Sequence, residues 1–223
     1  MSVYATSDLH GNYCLYEKII DFLKPEDKLY FLGDACDRGP HGYQIMKEML
    51  ENPQIIYLKG NHEDMFVKAA TEYLDEKYTD DLAWFCGATA QQHYLSNGGR
   101  TTFKFWVAEE CPCDIIKKLN NLPTLVTYEN KQRHSVIMTH SGSLTDPLWD
   151  RTLLHMYEKL PDYIRVVHGH TPVPLQANLS DLTAVCPYFY NNSQKINIDM
   201  ATYHTNQITL LNLDNYSNTM LSI

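Results

Sequence analysis

Three short apolar runs in the first third of the chain alternate with segments of helical periodicity. The runs have the length and composition of buried β-strands and cover residues 3–7, 28–33 and 55–59. After Asn12, a residue type that favours the N-cap position, apolar residues recur at helical spacing, and they do so again from Tyr43 to Leu50. Pro25 and Pro53 end these two helices, because proline disfavours helical geometry in the residue before it. A strand–helix–strand–helix–strand order predicts an α/β fold.

The periodicity becomes mostly helical over residues 64–133. Helical spacing of apolar residues continues after Glu63, and it returns over residues 82–95 and 111–122. No flexible linker flanks this region, so it is predicted to be an insertion or cap rather than a separate domain. We therefore predict a single domain over residues 1–223 that contains this helical insertion.

Four further runs after the helical region predict that the sheet resumes there. They are apolar or alternate between apolar and polar residues, and they cover residues 136–139, 164–167, 195–199 and 208–213. Residues 215–223 show no pattern that predicts an element. With 44% apolar and 20% charged residues, the chain has the composition of a globular protein.

Side chains with metal-binding chemistry follow five of the predicted strands. They are carboxylates, imidazoles and one amide: Asp8, His10, Asp34, Asn61, His140 and His170. Such oxygen and nitrogen donors bind divalent cations, and six are too many for one four-coordinate ion. Two ions about 3.5–4 Å apart, bridged by a carboxylate and a hydroxide, would use them all, and such a pair suits in-line attack on phosphorus. The residues therefore predict a metal-dependent phosphoester hydrolase.

Five motifs carry these residues. They read DLHG at 8–11, GDACDRG at 33–39, GNHE at 60–63, THSG at 139–142 and HGHT at 168–171. As a set they resemble the signature of the calcineurin-like metallophosphoesterases, and more narrowly the serine/threonine phosphoprotein phosphatases in their compact bacterial and phage form. The resemblance spans roughly residues 3–199, with a gap across the helical region. It implies a four-layer α/β/β/α sandwich with a mostly helical insertion.

The resemblance also implies a metal-binding role for each donor. Asp8 and His10 would hold the first ion, and Asp34 would bridge both ions. The second ion would be held by Asn61, His140 and His170. The two divalent ions are expected to be Mn²⁺, with Fe or Zn²⁺ as alternatives, because imidazole, carboxylate and amide donors accept all three.

Catalysis and phosphate binding would fall to neighbouring residues of the same motifs. His62 would be the general acid that protonates the leaving alkoxide, and Asp37 would orient it. Arg38 would bind the phosphate oxygens, because a planar guanidinium can donate two parallel hydrogen bonds to them. Arg151 is the candidate for a second phosphate-binding arginine, and Asn61 would also contact the phosphate.

Departures from the wider family pattern refine this interpretation. Many general metallophosphoesterases end in GHxH, whereas Pro172 stands at the last histidine position here. Together with Arg38, this favours a phosphatase over a nuclease or phosphodiesterase. His168 or His170 could face the metals, and motif position favours His170. For Asp199 a structural or supporting role is expected rather than a ligand role.

Charge and segment composition restrict the partners. A net charge of −9 argues against a nucleic-acid partner, which requires clustered Lys and Arg. No apolar run approaches the roughly 20 residues of a membrane span, and no signal peptide is visible. The six cysteines lack framework spacing, which indicates reduced thiols. A cytoplasmic protein without nucleic-acid or membrane partners is predicted, and its oligomeric state stays open.

The leading functional hypothesis is a metal-dependent phosphatase that acts on phosphoserine or phosphothreonine in proteins, or on a small phosphomonoester. A metal-bridging hydroxide would attack phosphorus, with His62 as the acid. The alternative is a symmetrical dinucleoside polyphosphate hydrolase that acts on diadenosine tetraphosphate, because such enzymes share the DxHG, GDxxDRG and GNHE motifs. A non-catalytic phospho-binding protein is a distant third, since it predicts the loss of a ligand or of the acid, and all are present.

Overall fold

Two five-stranded β-sheets form the centre of the protein. The computed structural model describes residues 1–78, 89–152, 158–182 and 185–223. The strands are β1 (Val3–Thr6), β2 (Lys28–Phe31), β3 (Ile55–Tyr57), β4 (Leu125–Glu129), β5 (Ser135–Thr139), β6 (Ile164–His168), β7 (Tyr188–Tyr190), β8 (Lys195–Asn197), β9 (Gln207–Asn212) and β10 (Asn218–Ser222).

Each sheet has a parallel centre and antiparallel additions. The first sheet has the order β10–β9–β1–β2–β3, in which β1, β2 and β3 are parallel and β9 and β10 are antiparallel additions. The second has the order β4–β5–β6–β8–β7, in which β5, β6 and β8 are parallel between the antiparallel edges β4 and β7. Parallel neighbours end at the same edge of a sheet, so residues that follow them converge there.

The helices connect and cover these strands. They are α1 (Tyr13–Phe22), α2 (Gly42–Glu51), α3 (Asn61–Tyr78), α4 (Ala90–Tyr94), α5 (Arg100–Ala108), α6 (Cys113–Asn120), α7 (Val173–Gln176) and α8 (Thr202–Thr205). A kinked turn, Leu95–Gly99, joins α4 to α5. Asn12 caps α1 as predicted, since its side-chain oxygen accepts the Leu15 N–H at 3.2 Å. Within the described ranges, none of the helices is both long and apolar enough to cross a bilayer.

Two apolar clusters hold the layers together. One fills the space between the sheets. It includes Ala5 of the first sheet, Leu32 just after β2, and Met138, Val167 and Ile196 of the second sheet. The other packs helices against the opposite face of the first sheet, with contributions from Ile19, Ile45, Phe66, Trp106 and Leu119. Burying one such large apolar side chain stabilises the fold by roughly 1.5–3 kcal/mol. Apolar clusters therefore cover both faces of the first sheet.

The structure confirms the predicted α/β class with two sheets and packed helices. Three strands were not predicted: β4, β7 and β10. Each of these lies at a sheet edge and pairs with a single neighbour, so the partner strand supplies a ladder that the local pattern does not reveal. Because β4 lies within 64–133, that region also contributes a strand to the second sheet. The helix predicted over 82–95 lies partly outside the described residues, and its described part contains α4.

Candidate active site

The predicted ligands follow the carboxyl ends of strands in both sheets. Four of them adopt the left-handed backbone conformation, with φ of +55° at Asp8, +48° at His10, +62° at Asp34 and +68° at His170. For a residue other than glycine this conformation costs roughly 1–2 kcal/mol. Surrounding contacts must offset that cost, and the conformation turns the chain sharply after each strand end.

One group of donors surrounds His10. Its Nε2 lies 3.9 Å from Oδ1 of Asp8 and 3.8 Å from Oδ2 of Asp34, and all three side chains are buried. The other ring nitrogen, Nδ1, lies 3.1 Å from the Cys36 carbonyl oxygen. Donation from Nδ1–H to this carbonyl leaves the Nε2 lone pair directed at the two carboxylates.

A second group lies on the other side of Asp34. Oδ1 of Asn61 lies 2.9 Å from Nε2 of His140 and 2.9 Å from Nδ1 of His170. The same His140 nitrogen is 3.3 Å from Oδ2 of Asp34. Nδ1 of His140 donates to the Leu32 carbonyl oxygen at 2.7 Å, which directs the Nε2 lone pair into this group. Oδ2 of Asp34 thus borders both groups, as a bridging ligand requires.

These residues fit a pair of divalent cations. Five acidic side chains of this region are at most 3% exposed, namely Asp8, Asp34, Asp37, Glu63 and Asp199. Burying so many carboxylates is costly without positive charge beside them. Carboxylate oxygen, amide oxygen and imidazole nitrogen match the ligand types of Mn²⁺, Fe and Zn²⁺. The charge and the donor set therefore both suit metal binding.

His62 also borders the first group. Its Nε2 lies 3.8 Å from Oδ2 of Asp34, and donor atoms of His10, Asp34 and His62 lie within 4.8 Å of one another. Either Asp8 or His62 could thus complete a cation site with His10 and Asp34. Asp8 stays the expected ligand, because a buried carboxylate needs positive charge beside it, whereas a protonated imidazole has no free lone pair for a cation.

The imidazole of His62 is held by Asp37. Nδ1 of His62 donates to Oδ2 of Asp37 at 2.7 Å, and both side chains are buried. Burial acts to lower the pKa of His62, but the carboxylates of Asp34 and Asp37 outweigh it and raise that pKa above its ordinary value. A cation bound to Asp34 would weaken the contribution of Asp34 to this raised pKa and leave the contribution of Asp37. A raised pKa favours the protonated imidazole that a general acid needs.

Glu63 supports the turn that carries Asp34. Its two carboxylate oxygens accept the backbone N–H groups of Asp34, Ala35 and Gly60, each at 2.8 Å, and the Tyr57 hydroxyl at 2.8 Å. Gly60 must lack a side chain, because a Cβ there would overlap Oδ1 of Asp34. The turn that carries Asp34 is therefore fixed through Glu63.

The two predicted phosphate-binding arginines both reach the donor groups. Arg38 donates from Nη1 to Nε2 of His10 at 2.8 Å and lies 3.3 Å from Nε2 of His62 through Nη2. Arg151 donates from Nε to Nε2 of His170 at 2.9 Å. A cation bound to His10 requires the Arg38 guanidinium to leave that nitrogen, since both compete for one lone pair.

A cleft of about 560 Å³ opens beside these arginines. Arg38, Arg100 and Arg151 line it together with Tyr203 and His204. Among the described residues that line it there is no Asp or Glu, although the whole chain carries a net charge of −9. A cationic cleft on an acidic protein attracts anionic ligands. No motif surrounds Arg100, so the sequence alone does not indicate its place in the cleft.

His168 and Asp199 lie beside the donor groups rather than within them. His168 is fully buried, and its Nε2 lies 2.8 Å from the Tyr190 hydroxyl, so the expectation that His170 faces the site is consistent with the geometry. Oδ1 of Asp199 accepts the Ala201 N–H at 2.8 Å. Burial, with a smaller contribution from the charge of Asp8, raises the pKa of Asp199 well above its ordinary value.

Donor groups that share an aspartate, next to a cleft lined with arginines, are typical of metallohydrolases that act on phosphate esters. The chain belongs to the calcineurin-like phosphoesterase family, whose sequence model matches residues 1–174. The family depends on two metal ions. The members of this family are hydrolases.

Curated relatives carry two different names. The chain is 23% identical over 187 residues to a symmetrical bis(5'-nucleosyl)-tetraphosphatase of Delftia acidovorans, an alignment that covers 77% of this chain and 58% of that protein. It is 26% identical over 132 residues to serine/threonine-protein phosphatase 2 of Escherichia coli, covering 57% of this chain and 53% of that protein. The chain thus spans a little more than half the length of these relatives. Their names do not select one substrate.

Solved structures share the fold. A metallophosphoesterase from Sphaerobacter thermophilus superimposes with a TM-score of 0.58 and 16% sequence identity, covering 99% of this chain and 86% of that one. At this identity the likeness concerns the fold alone. It places this chain among the two-sheet metallophosphoesterase architectures, as the resemblance of the motifs implied.

Proposed function

We propose that this metallophosphoesterase is a phosphomonoesterase whose substrates are phosphoserine and phosphothreonine residues of proteins, with His62 as the general acid. The observation that carries the proposal is the position of His62. Its Nδ1 is bound to Asp37 at 2.7 Å, and its Nε2 faces Asp34 and the guanidinium of Arg38. The proposed acid His62, the phosphate-binding guanidinium of Arg38 and the shared metal ligand Asp34 therefore lie next to one another.

The chain's own residues have distinct tasks in this reaction. Arg38 and Arg151 bind and orient the phosphoryl oxygens, since guanidinium groups pair with them in bidentate fashion. His62 releases the proton on Nε2 to the leaving oxygen, while Nδ1 stays bonded to Asp37. When bound by Asp8, His10, Asp34, Asn61, His140 and His170, two divalent ions would supply Lewis acidity and a nucleophile at neutral pH.

A substrate panel tests the proposal. Purified protein reconstituted with Mn²⁺ is assayed on a phosphoserine peptide, a phosphothreonine peptide, diadenosine tetraphosphate and an activated aryl phosphate, and kcat/KM is compared. We expect the phosphopeptides to exceed diadenosine tetraphosphate at least tenfold. A reversed order would overturn the protein substrate while leaving the hydrolase intact. Absence of turnover on all four substrates with Mn²⁺, Fe²⁺ and Zn²⁺ would overturn the function altogether.

Symmetrical dinucleoside polyphosphate hydrolysis is the second candidate. Arg100 lies in the same cleft as Arg38 and Arg151, so the site offers more guanidinium groups than one phosphate needs. Tyr203 is half exposed in this cleft and could stack on a base. The relative from Delftia acidovorans bears the corresponding name. A substrate with several phosphates and a base would use all of these groups.

Three finer points belong to the proposal. The proposed metal is Mn²⁺, because the site combines carboxylate and imidazole donors with the amide of Asn61. A cytoplasmic location and the lack of a nucleic-acid partner rest on the sequence, in particular on the net charge of −9. Elemental analysis of protein purified without added metal, together with cell fractionation, checks the first two. Titration with labelled DNA and RNA checks the third.

A further inference from the structure

We propose that Tyr94 is a positioning residue for the Asp37–His62 pair, and that residues 94–102 of the insertion support the turn that carries Asp37 and Arg38. The inference rests on the proposed role of His62 as general acid. It gives the helical insertion a task in the reaction: the insertion holds the groups that deliver the proton and bind the phosphate.

Tyr94 completes the hydrogen bonding of Asp37. Its side chain is fully buried at the end of α4, and its hydroxyl donates to Oδ1 of Asp37. Oδ2 of the same carboxylate accepts from Nδ1 of His62 at 2.7 Å. Each carboxylate oxygen thus has its own donor, so the plane of the carboxylate is fixed from both sides. That plane in turn sets the direction in which the His62 ring presents Nε2.

The same segment also holds the backbone of the turn. Oγ1 of Thr102 accepts the N–H of Asp37 at 3.1 Å, and the carbonyl oxygen of Gly98 accepts the N–H of Arg38 at 3.0 Å. Asp37 and Arg38 have φ of +70° and +62°, a conformation that is unfavourable for both residues. Two hydrogen bonds from one segment to two consecutive strained residues are a direct means of keeping the turn in this conformation.

Packing prevents the Tyr94 ring from turning away. The ring lies edge-on to Phe66 and Phe103, with centroid distances of 5.8 and 6.2 Å. Gly99 also lies against the ring, and a Cβ at that position would overlap it. The hydroxyl therefore has one accessible direction, which is the one toward Asp37.

The role of Tyr94 is to orient, and it transfers no proton in the reaction. With the hydroxyl in place, Asp37 stays aligned with the His62 ring, and the proton leaves from Nε2 of His62 to the leaving oxygen. Without it, Oδ1 of Asp37 is buried with no donor and the carboxylate can rotate. Proton delivery then suffers, whereas phosphate binding by Arg151 on the other side of the site does not.

The test compares Tyr94→Phe with Tyr128→Phe. Tyr128 lies on β4, and its hydroxyl donates to Oδ1 of Asp214 at 2.8 Å, so the control removes the same kind of bond away from the site. Both variants and the wild type are assayed on aryl phosphates of increasing leaving-group pKa and on a phosphoserine peptide. General acids contribute about 10²–10⁴-fold, most strongly for poor leaving groups.

We expect Tyr94→Phe to lower kcat about tenfold on the phosphoserine peptide and less than threefold on the most activated aryl phosphate, with KM nearly unchanged. Tyr128→Phe should match the wild type on both. An equal loss on all leaving groups would show a purely structural role and overturn the inference, as would no loss. If Tyr94→Phe does not fold, Thr102→Val, which removes the other side-chain contact to this turn, is judged by the same leaving-group criterion.

A double variant separates this inference from the proposed function. Tyr94→Phe added to Asp37→Asn should cost nothing further if Tyr94 acts through Asp37. Independent, additive losses would overturn the inference. Wild-type activity that does not depend on His62 would instead contradict the proposed function, whatever the Tyr94 variants show.

Discussion

Oε2 of Glu63 accepts the backbone N–H of Asp34 at 2.8 Å, so the residue after the general acid fixes the residue shared by the two donor groups. The first turn of α3 carries Asn61, His62 and Glu63, and the loop after β2 carries Asp34. Glu63 links these two elements below the surface of the site. Ligand geometry therefore depends on a residue that touches neither cation nor substrate.

Replacing Glu63 by glutamine should destabilise the protein strongly. The amide keeps one acceptor but places an NH₂ group against backbone N–H donors, so buried donors lose their partner. We expect the free energy of unfolding to fall by about 2–4 kcal/mol, which corresponds to a loss of about 5–15 °C in Tm. Thermal unfolding measures this change.

The matched control is Glu109→Gln. Glu109 accepts from Lys47 at 2.7 Å, but its side chain is 46% exposed, so water can replace the bond. The free energy of unfolding of Glu109→Gln should stay within about 1 kcal/mol of the wild-type value. Equal losses in the two variants would show that Glu63 is not a special support.

Divalent cations should stabilise the folded protein through Asp34. At a cation concentration about 100-fold above Kd, binding to the folded state alone adds about 2.7 kcal/mol, or about 5–10 °C in Tm. Mn²⁺ should therefore raise the Tm of chelator-treated wild type and have little effect on Asp34→Asn, which loses the ligand shared by both groups. A similar Tm shift in the variant would place the cations elsewhere.

His62→Asn should separate metal binding from catalysis. Because Asp8 rather than His62 is assigned to the first cation, the variant should retain two equivalents of metal by elemental analysis. Its kcat on a phosphoserine peptide should fall about 10²–10⁴-fold, and the loss on an activated aryl phosphate should be smaller. Loss of one metal equivalent would assign His62 as a ligand. Asp8→Asn is the control, because it removes an expected ligand of the first cation.

Arg100→Ala should distinguish the two substrate candidates. Arg100 lines the cleft next to Arg38 and Arg151 and is exposed, so its contribution arises when a substrate extends beyond one phosphate. For a polyphosphate substrate, kcat/KM on diadenosine tetraphosphate should fall about 10-fold or more, and by a smaller factor on an aryl phosphate. An equal fall in kcat/KM on the two substrates would show that Arg100 does not favour a polyphosphate substrate.

The pattern of apolar and polar residues predicted the central strands and helices, because periodicity and capping are local signals. Asn12 caps α1, and the apolar runs before Asp8, Asp34 and His140 are strands, since periodicity and capping depend on neighbouring residues. Edge strands such as β10 were missed, because their stability comes from pairing with β9 rather than from their own composition.

The residues of the site also differ in whether a local sequence signal predicts them. Motif order predicted Asp34, His62 and the other candidate residues, because each follows a strand whose end the sequence pattern indicates. No local signal marks Tyr94, which is 57 residues from Asp37 in the chain and reaches it only through the packing of α4. Arg100 is likewise brought to the cleft by the insertion.

The amino-acid sequence by itself determined the α/β class and the family, and it predicted the donor residues, because strand ends and motif spacing are properties of short segments. Only the tertiary structure decided how these groups work together. It sets the left-handed turns at Asp34 and Asp37, the tautomers fixed by backbone carbonyls, and the contact of Tyr94 with Asp37. These depend on packing between segments far apart in the chain, which no local pattern encodes.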